Sequence, residues 1–438
     1  MLSNLKNIFK VQDLRNKILF TFMIVALYRV GTAIRVPGVD PLAIDQIKEG
    51  AQGGVLGLFN LFSGKAFTSF SIFGLGIMPY ITASIIMQVL GVVIPKLEEL
   101  QQEGAVGQRK ITQYTRYVTI ALATLQATVL VFLFGTGGGG AFYSAVQAPS
   151  VPLLPDGIWP RGYLIIPTLV AGTALLMWMG ELISQRGIGN GMSMIIFASV
   201  VSSLPVNFLR IWEEESKVLF VLLLALVAGI VFAVVRIELG TRRIPVSFAK
   251  RQVGRRMYGG QNTYIPLKVN QSGVIAIIFA SSVLLLPVLL TNVLGSGEGW
   301  RGWITDKVNR YIVNSQNAVY ATILFVLIIA FSYFYNSIAF DPIRQADQIR
   351  KQGGFIPGIR PGAQTERYLG KVVNRITLPG AVFTAIIALM PYALLWIFGV
   401  KNFPFAGTTV LIAVGVALEL MRQIDSQLTL RNYEGFLK

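Results

Sequence analysis

The chain is 438 residues long, 53% hydrophobic and only 13% charged, with a formal net charge of +17 and neither His nor Cys. An ordinary soluble domain carries about 25% charged residues, so the deficit points to lipid as the solvent. Without His or Cys there is no disulfide framework, no thiol nucleophile and no usual general base near neutral pH, and the commonest metal ligands are missing.

A helix that crosses a bilayer needs about 20 mostly apolar residues. Ten candidates follow in order: 18–34, 75–94, 118–134, 163–183, 191–204, 218–235, 274–294, 318–335, 378–400 and 406–421. The first runs into a full span with no small-residue cleavage site, so it reads as retained and not as a signal peptide. Between the first two spans, residues 57–74 are apolar but interrupted by Ser63, Gly64, Lys65, Thr68, Ser69 and Gly74. That stretch is too short for a span and too apolar for a solvated loop. A short helix tucked into the bundle fits it, and a flat interfacial helix is the alternative. The run Gly137–Gly140 reads as a flexible turn. The fifth candidate is short and flanked by glycine.

Two connections exceed the length at which a structureless loop is ordinary. The first, 236–272, holds Thr241-Arg242-Arg243-Ile244-Pro245-Val246 and Tyr264-Ile265-Pro266-Leu267 around Gly259-Gly260, which predicts a β-hairpin. The second, 339–374, holds a Gly/Pro-dense run, 353–362, that cannot continue a helix and must turn tightly.

An even span count puts both termini on one side. Assigning that side to the cytoplasm places 27 of the 38 Lys and Arg residues there, as the positive-inside rule requires. Five spans precede the first large loop and five follow it, so two halves, 1–205 and 206–438, have opposite topology. The fold class expected is an all-α membrane protein of ten transmembrane helices, in two inverted five-helix halves around a central pore.

Ionisable residues inside a membrane mark ion pathways. Here Arg29, Glu181 and Glu419 lie near predicted span ends, where snorkelling or pairing explains them. This weighs against an inverted-repeat secondary transporter of small solutes, the alternative reading. Ser63-Gly64-Lys65-Ala66 lacks the rest of a phosphate-binding loop. No enzyme is expected, no metal and no cofactor, and any energy source must belong to a partner.

Four stretches carry a resemblance, in the expected order. Gly76-Ile77-Met78-Pro79-Tyr80-Ile81-Thr82 resembles the second transmembrane segment of the SecY family. Arg186-Gly187-Ile188-Gly189-Asn190-Gly191 resembles the start of its fifth. Lys250-Arg251-Gln252-Val253-Gly254-Arg255-Arg256 resembles the basic tip of its first large cytosolic loop. Phe355-Ile356-Pro357-Gly358-Ile359-Arg360-Pro361-Gly362 resembles its second. The four-glycine outer run, and Ala276 where many relatives have Pro, depart from the family pattern.

The resemblance implies an hourglass channel in the cytoplasmic (inner) membrane with both termini cytoplasmic. It would pass unfolded secretory polypeptides and release hydrophobic segments sideways into lipid. A ring of aliphatic side chains closes the waist, matched by Ile81, Ile85, Ile196, Ile275 or Ile278, and Ile412. Met192 is another lumen candidate. A plug sits beneath the ring, matched by 61–71 with Leu61, Phe62, Ser63, Gly64, Phe67, Thr68 and Ser69, packed weakly and in part through polar groups. Ser84, Gln88 and Gln126 face Ser281 and Ser282 across a lateral gate. Arg242, Arg243, Lys250, Arg251, Arg255, Arg256 and Arg360 would dock the SecA motor or the ribosome. SecE would brace the halves and SecG would lie at the edge, with signal peptides and unfolded preproteins as cargo and membrane lipids around. SecDF and YidC are further partners the resemblance admits.

Overall fold

The computed structural model describes residues 11–40, 44, 63–135, 154, 161–214, 217–248, 251–253, 256–258, 263–294, 299–313, 317–398 and 407–436. Each of the ten predicted segments falls on a helix, and the helices outrun the hydropathy. They begin with α1 (Gln12–Ala33), α2 (Met78–Val93), the short α3 (Pro95–Gln102) and α4 (Ala105–Gly135). Then come α5 (Gly162–Arg186), α6 (Gly191–Glu214) and α7 (Lys217–Leu239). Strands β1 (Thr241–Phe248), β2 (Arg251–Val253), β3 (Arg256–Tyr258) and β4 (Thr263–Lys268) follow, and then α8 (Ile275–Leu294) and α9 (Trp300–Val308). The chain ends with α10 (Ala318–Ala339), α11 (Pro342–Lys351), β5 (Gly354–Phe355), α12 (Ala363–Phe398) and α13 (Gly407–Phe436).

Among the described residues five helical stretches are long and apolar enough to cross a membrane, so the protein is multi-pass. The pair Met78–Val93 and Pro95–Gln101, bent by 105°, makes a sixth if it is one span. The bend falls at Ile94-Pro95, where proline has no N–H for the preceding turn yet suits the first position of the next helix. At 36 residues, α12 is about 54 Å long, well beyond a hydrocarbon core of about 30 Å. Its first turns, Gln364 to Arg375, mix charged and polar residues with the apolar ones, which takes them below the hydropathy of a span. The expected boundary between halves at 205/206 falls inside α6 at Pro205. Proline is tolerated there because neighbouring helices re-satisfy the freed carbonyl.

The two large loops fold together. β1 pairs antiparallel with β4, from Thr241 opposite Lys268 to Val246 opposite Thr263, as the hairpin reading predicts. Gly259 and Gly260 lie outside the described residues, as does the Gly137–Gly140 run. β5 from the second loop then adds to the other edge of β1, giving the order β4-β1-β5. Beneath this sheet Ile244, Val246 and Leu267 are buried with Ile349, Ile356, Leu369, Val372 and Val373. Asp341 caps α11, accepting from the N–H groups of Ile343 and Arg344 at 2.9 and 3.3 Å. The expected projecting loop is therefore one wall of a small domain with its own core.

Candidate functional site

The largest buried cluster runs through the centre of the helix bundle and takes side chains from both sides of the 205/206 boundary. Ile81 and Ile85, one turn apart on α2, lie in it with Ile196 of α6, Ile278 of α8 and Ile412 of α13, all buried. Ile275, half-buried at the start of α8, packs against the same cluster, as does Met192. Four helices thus bring their branched aliphatic side chains to one place. A cluster of branched aliphatic side chains offers water no hydrogen bonds.

Phe67, Phe70, Phe73 and Ile77 belong to the same cluster and bring the plug candidate against the ring. Leu61 and Phe62 lie outside the described residues. From Ser63 to Ile77 the chain is a succession of turns and not the short helix expected. The reason is local: φ is +62° at Gly64, +69° at Lys65 and +43° at Phe70, and left-handed residues at these points end any helical run. Edge contacts hold the segment instead. Val36 N–H donates to the Phe70 carbonyl at 2.8 Å, and Ile72 N–H donates to that of Ile34 at 3.0 Å.

The segment is also packed more closely than expected. Ser63, Thr68 and Ser71 are buried and Ser69 half-buried. Tyr28 of α1, a residue the sequence did not single out, reaches the segment from one side. Its hydroxyl donates to the Ser63 carbonyl at 3.1 Å and lies 2.6 Å from Ser199 Oγ on α6. The Tyr28 ring stacks on Phe73 at 5.8 Å and 22°. Arg29 donates to the Gly64 carbonyl at 3.4 Å. A Cβ on Gly64 would meet the Tyr28 hydroxyl at 2.8 Å, so only glycine suits both its φ and its space. The available signal was general: a phenol and a serine inside apolar spans each need a partner.

The seam between α2, α4 and α8 closes one side of this centre, and α8 packs against both other helices. The expected gate residues lie on these three helices, but the polar contacts expected across the seam are not made. Gln88 donates to Ser84 within α2 at 3.3 Å. Ser281 and Ser282 donate to the carbonyls of Ile277 and Ile278 in their own helix, each at 2.8 Å. Gln126 is buried on α4 and its Oε1 accepts no hydrogen bond. A serine whose O–H donates one turn back on its own helix keeps only its lone pairs for a neighbour. None of the hydrogen bonds shown for these five residues crosses the seam.

Glu181 finds a specific partner. Arg116 of α4 donates to it from Nε at 2.8 Å and from the second guanidinium nitrogen at 2.5 Å, a fork that ties α4 to α5.

Arg242 and Arg243 of β1 are both exposed and stand on opposite faces of the strand, Arg243 on the one away from Ile244 and Val246. The Arg243 guanidinium lies 4.8 Å over the Tyr264 ring. Arg360 is exposed between two glycines in left-handed backbone, Gly358 at φ +81° and Gly362 at +104°. Its own carbonyl is held by the Thr365 hydroxyl at 3.0 Å. Arg251 and Arg256 stand in the small β2–β3 ladder, opposite Tyr258 and Val253. Lys250 and Arg255 lie outside the described residues.

Comparison with known proteins gives consistent results. The family model described as SecY matches residues 71–421. A Mycobacterium bovis protein named protein translocase subunit SecY is 50% identical over 447 residues, covering 100% of both chains. The protein of that name from Streptomyces scabiei is 49% identical over 448 residues, again covering all of both. A solved protein-conducting channel superposes with a TM-score of 0.61 at 19% identity, covering 94% of this chain and 91% of that one. Sec61 from the canine ribosome-channel complex of the endoplasmic reticulum superposes at 0.56, also at 19% identity, with the same coverage. Half of all positions shared from end to end, with the family's segments in order, leave one conclusion: the chain belongs to the SecY family of protein translocase subunits.

Proposed function

We propose that this chain is the channel-forming subunit of a protein translocase of the cytoplasmic membrane, with ten spans in two inverted halves and both termini in the cytoplasm. Unfolded preproteins pass through the centre, and hydrophobic segments leave sideways between α2/α4 and α8/α10. The waist is Ile81, Ile85, Ile196, Ile278 and Ile412 with Ile275 at its edge. The plug is the segment from 61 to 71, and the seam residues are Ser84, Gln88, Gln126, Ser281 and Ser282. The observation that carries this reading is the single buried cluster in which aliphatic side chains from four helices meet the plug candidate. Charge-coupled small-solute transport is not favoured by any relative.

The absence of native Cys supplies the test. Cys placed at Ile85 is expected to form a disulfide with a stalled precursor carrying one Cys, only when the motor and ATP are present. The same substitution at Leu222, which is 48% exposed on α7, is expected to give none. Precursor crossing with no adduct at Ile85, Ile196 or Ile412 would remove the assigned path.

The loop domain is the docking face for the SecA motor and for the ribosome, with SecE clasping the halves and SecG at the periphery; SecDF and YidC are accessory partners. Arg360 supports this most strongly, because it presents a planar, fork-like donor set, exposed on a tight turn whose carbonyl the Thr365 hydroxyl holds. Charge reversal, Arg360→Glu, is expected to weaken motor or ribosome binding by about 30-fold or more, as loss of a central Arg contact costs about 2 kcal/mol or more. Arg242→Glu, on a flatter surface, is expected to have a smaller effect that salt erases. Equal effects at both positions in co-sedimentation would mean that the face works by bulk charge alone.

A further inference from the structure

At the ends of α8 and α10 remote from the loop domain, the chain forms α9 and a π-helical turn, Asn309–Val313. One face is fixed to the bundle: Thr305 is buried, and Val308 and Ile312 pack against the main cluster. The other face carries Trp300, Trp303, Lys307 and Arg310 at i, i+3, i+7 and i+10, one stripe of a helical surface. Trp300 and Trp303 are 63% and 65% exposed. Two cations of the segment rest on rings. Arg301 lies 5.6 Å from the Trp300 centroid, and Lys307 lies 5.8 Å from Trp303 and 5.5 Å from Tyr311. Asp306 is the only carboxylate among the described residues of this segment, and Glu298 before it lies outside them.

We infer that the outward face of α9 lies in the membrane interface and binds the headgroups of anionic phospholipids. The inference rests on α8 and α10 being membrane spans. Thr305, Val308 and Ile312 hold this connection down against the ends of the spans, and exposed indoles at that level settle at headgroup depth. Lys and Arg held on ring faces keep their outer N–H groups free for phosphate oxygens. Three cations against one carboxylate select an anionic headgroup over a zwitterionic one. A surface built for a soluble partner would hold both indoles in water whenever that partner is absent.

The full chain, reconstituted in symmetric nanodiscs, tests this without reference to leaflet. The fluorescence component lost in Trp300→Phe/Trp303→Phe is followed while brominated phosphatidylglycerol or brominated phosphatidylcholine is added at equal mole fraction. The anionic lipid is expected to quench it about five-fold more effectively or better, the effect of at least one cation near an anionic surface. Arg301→Gln/Lys307→Gln/Arg310→Gln is expected to abolish the preference while quenching by phosphatidylcholine persists. Raising salt on the unaltered chain is expected to weaken the preference in the same direction, which decides the matter should the triple variant not fold. Equal quenching by the two lipids would overturn headgroup selection. Quenching by iodide, with none by either lipid, would place the face in water as a protein-docking surface, and would overturn the interfacial position too. Neither result would bear on the polypeptide path through Ile85.

Discussion

Tyr28→Ala is expected to unseat the plug segment and make the resting channel conduct ions. Tyr28 is buried to 1%, stacks on Phe73 and places one hydroxyl between the Ser63 carbonyl and Ser199. It therefore ties the segment to α1 and α6 at once. Truncating a buried aromatic residue costs about 3–5 kcal/mol. Every 1.4 kcal/mol is a factor of ten, so the unseated fraction should rise by about a hundredfold or more. Tyr28→Phe keeps the stack and loses only the hydroxyl. The Ser63 carbonyl then loses a buried donor, at a cost of about 1–1.5 kcal/mol, so the rise should be near tenfold. Steady current across planar bilayers without precursor or motor would be read, with the order unaltered, Phe, Ala. An Ala variant that still translocates but conducts no more than the unaltered chain would deny Tyr28 this role.

Arg116→Ala is expected to cost more stability than any other single loss of a charged side chain among the described residues. The Glu181 side chain is only 16% exposed and that of Arg116 37%, so the pair stands between a surface bridge and a buried one. Breaking a fully buried pair costs about 3–5 kcal/mol because the remaining charge is stranded. Solvent reaching Arg116 reduces this to about 2–3 kcal/mol. For a chain of 438 residues that corresponds to roughly 2–3 °C in the unfolding midpoint in detergent. Glu181→Gln, which keeps hydrogen-bond acceptors without the charge, should lose less. Exchange of the two charges, Arg116→Glu with Glu181→Arg, should recover part of the loss. If all three variants unfold with the unaltered chain, α4 and α5 are held by apolar contact alone.

Much of this architecture was legible in the chain. Apolar runs mark where backbone must be helical, because lipid offers no other partner for N–H and C=O groups. Lys and Arg outside those runs mark the side on which they stay. The hairpin of the first loop was legible because Arg242-Arg243-Ile244-Pro245-Val246 and Tyr264-Ile265-Pro266-Leu267 lean to strand on either side of a glycine pair. Helix ends were not legible where polar residues that favour helix carry α4 and α12 beyond the membrane, since hydropathy reports the solvent and not the backbone.

The site divides along the same line. That Ile81 and Ile85 share a face follows from their spacing on one helix. That Ile196, Ile278 and Ile412 meet them depends on how four helices cross, and any membrane isoleucine has the same local signature. The seat of the plug candidate depends on Tyr28 and Ser199, which lie 171 positions apart. Ser281 and Ser282 read as partners across a seam, yet each turned back on its own helix, because a backbone carbonyl one turn away is always within reach. The chain by itself determined which stretches are helical, because that depends on local transfer free energy between water and lipid. Tertiary structure alone decided which side chains converge, which polar groups are satisfied and that β5 closes the sheet begun by β1, because those depend on distance between residues remote in sequence.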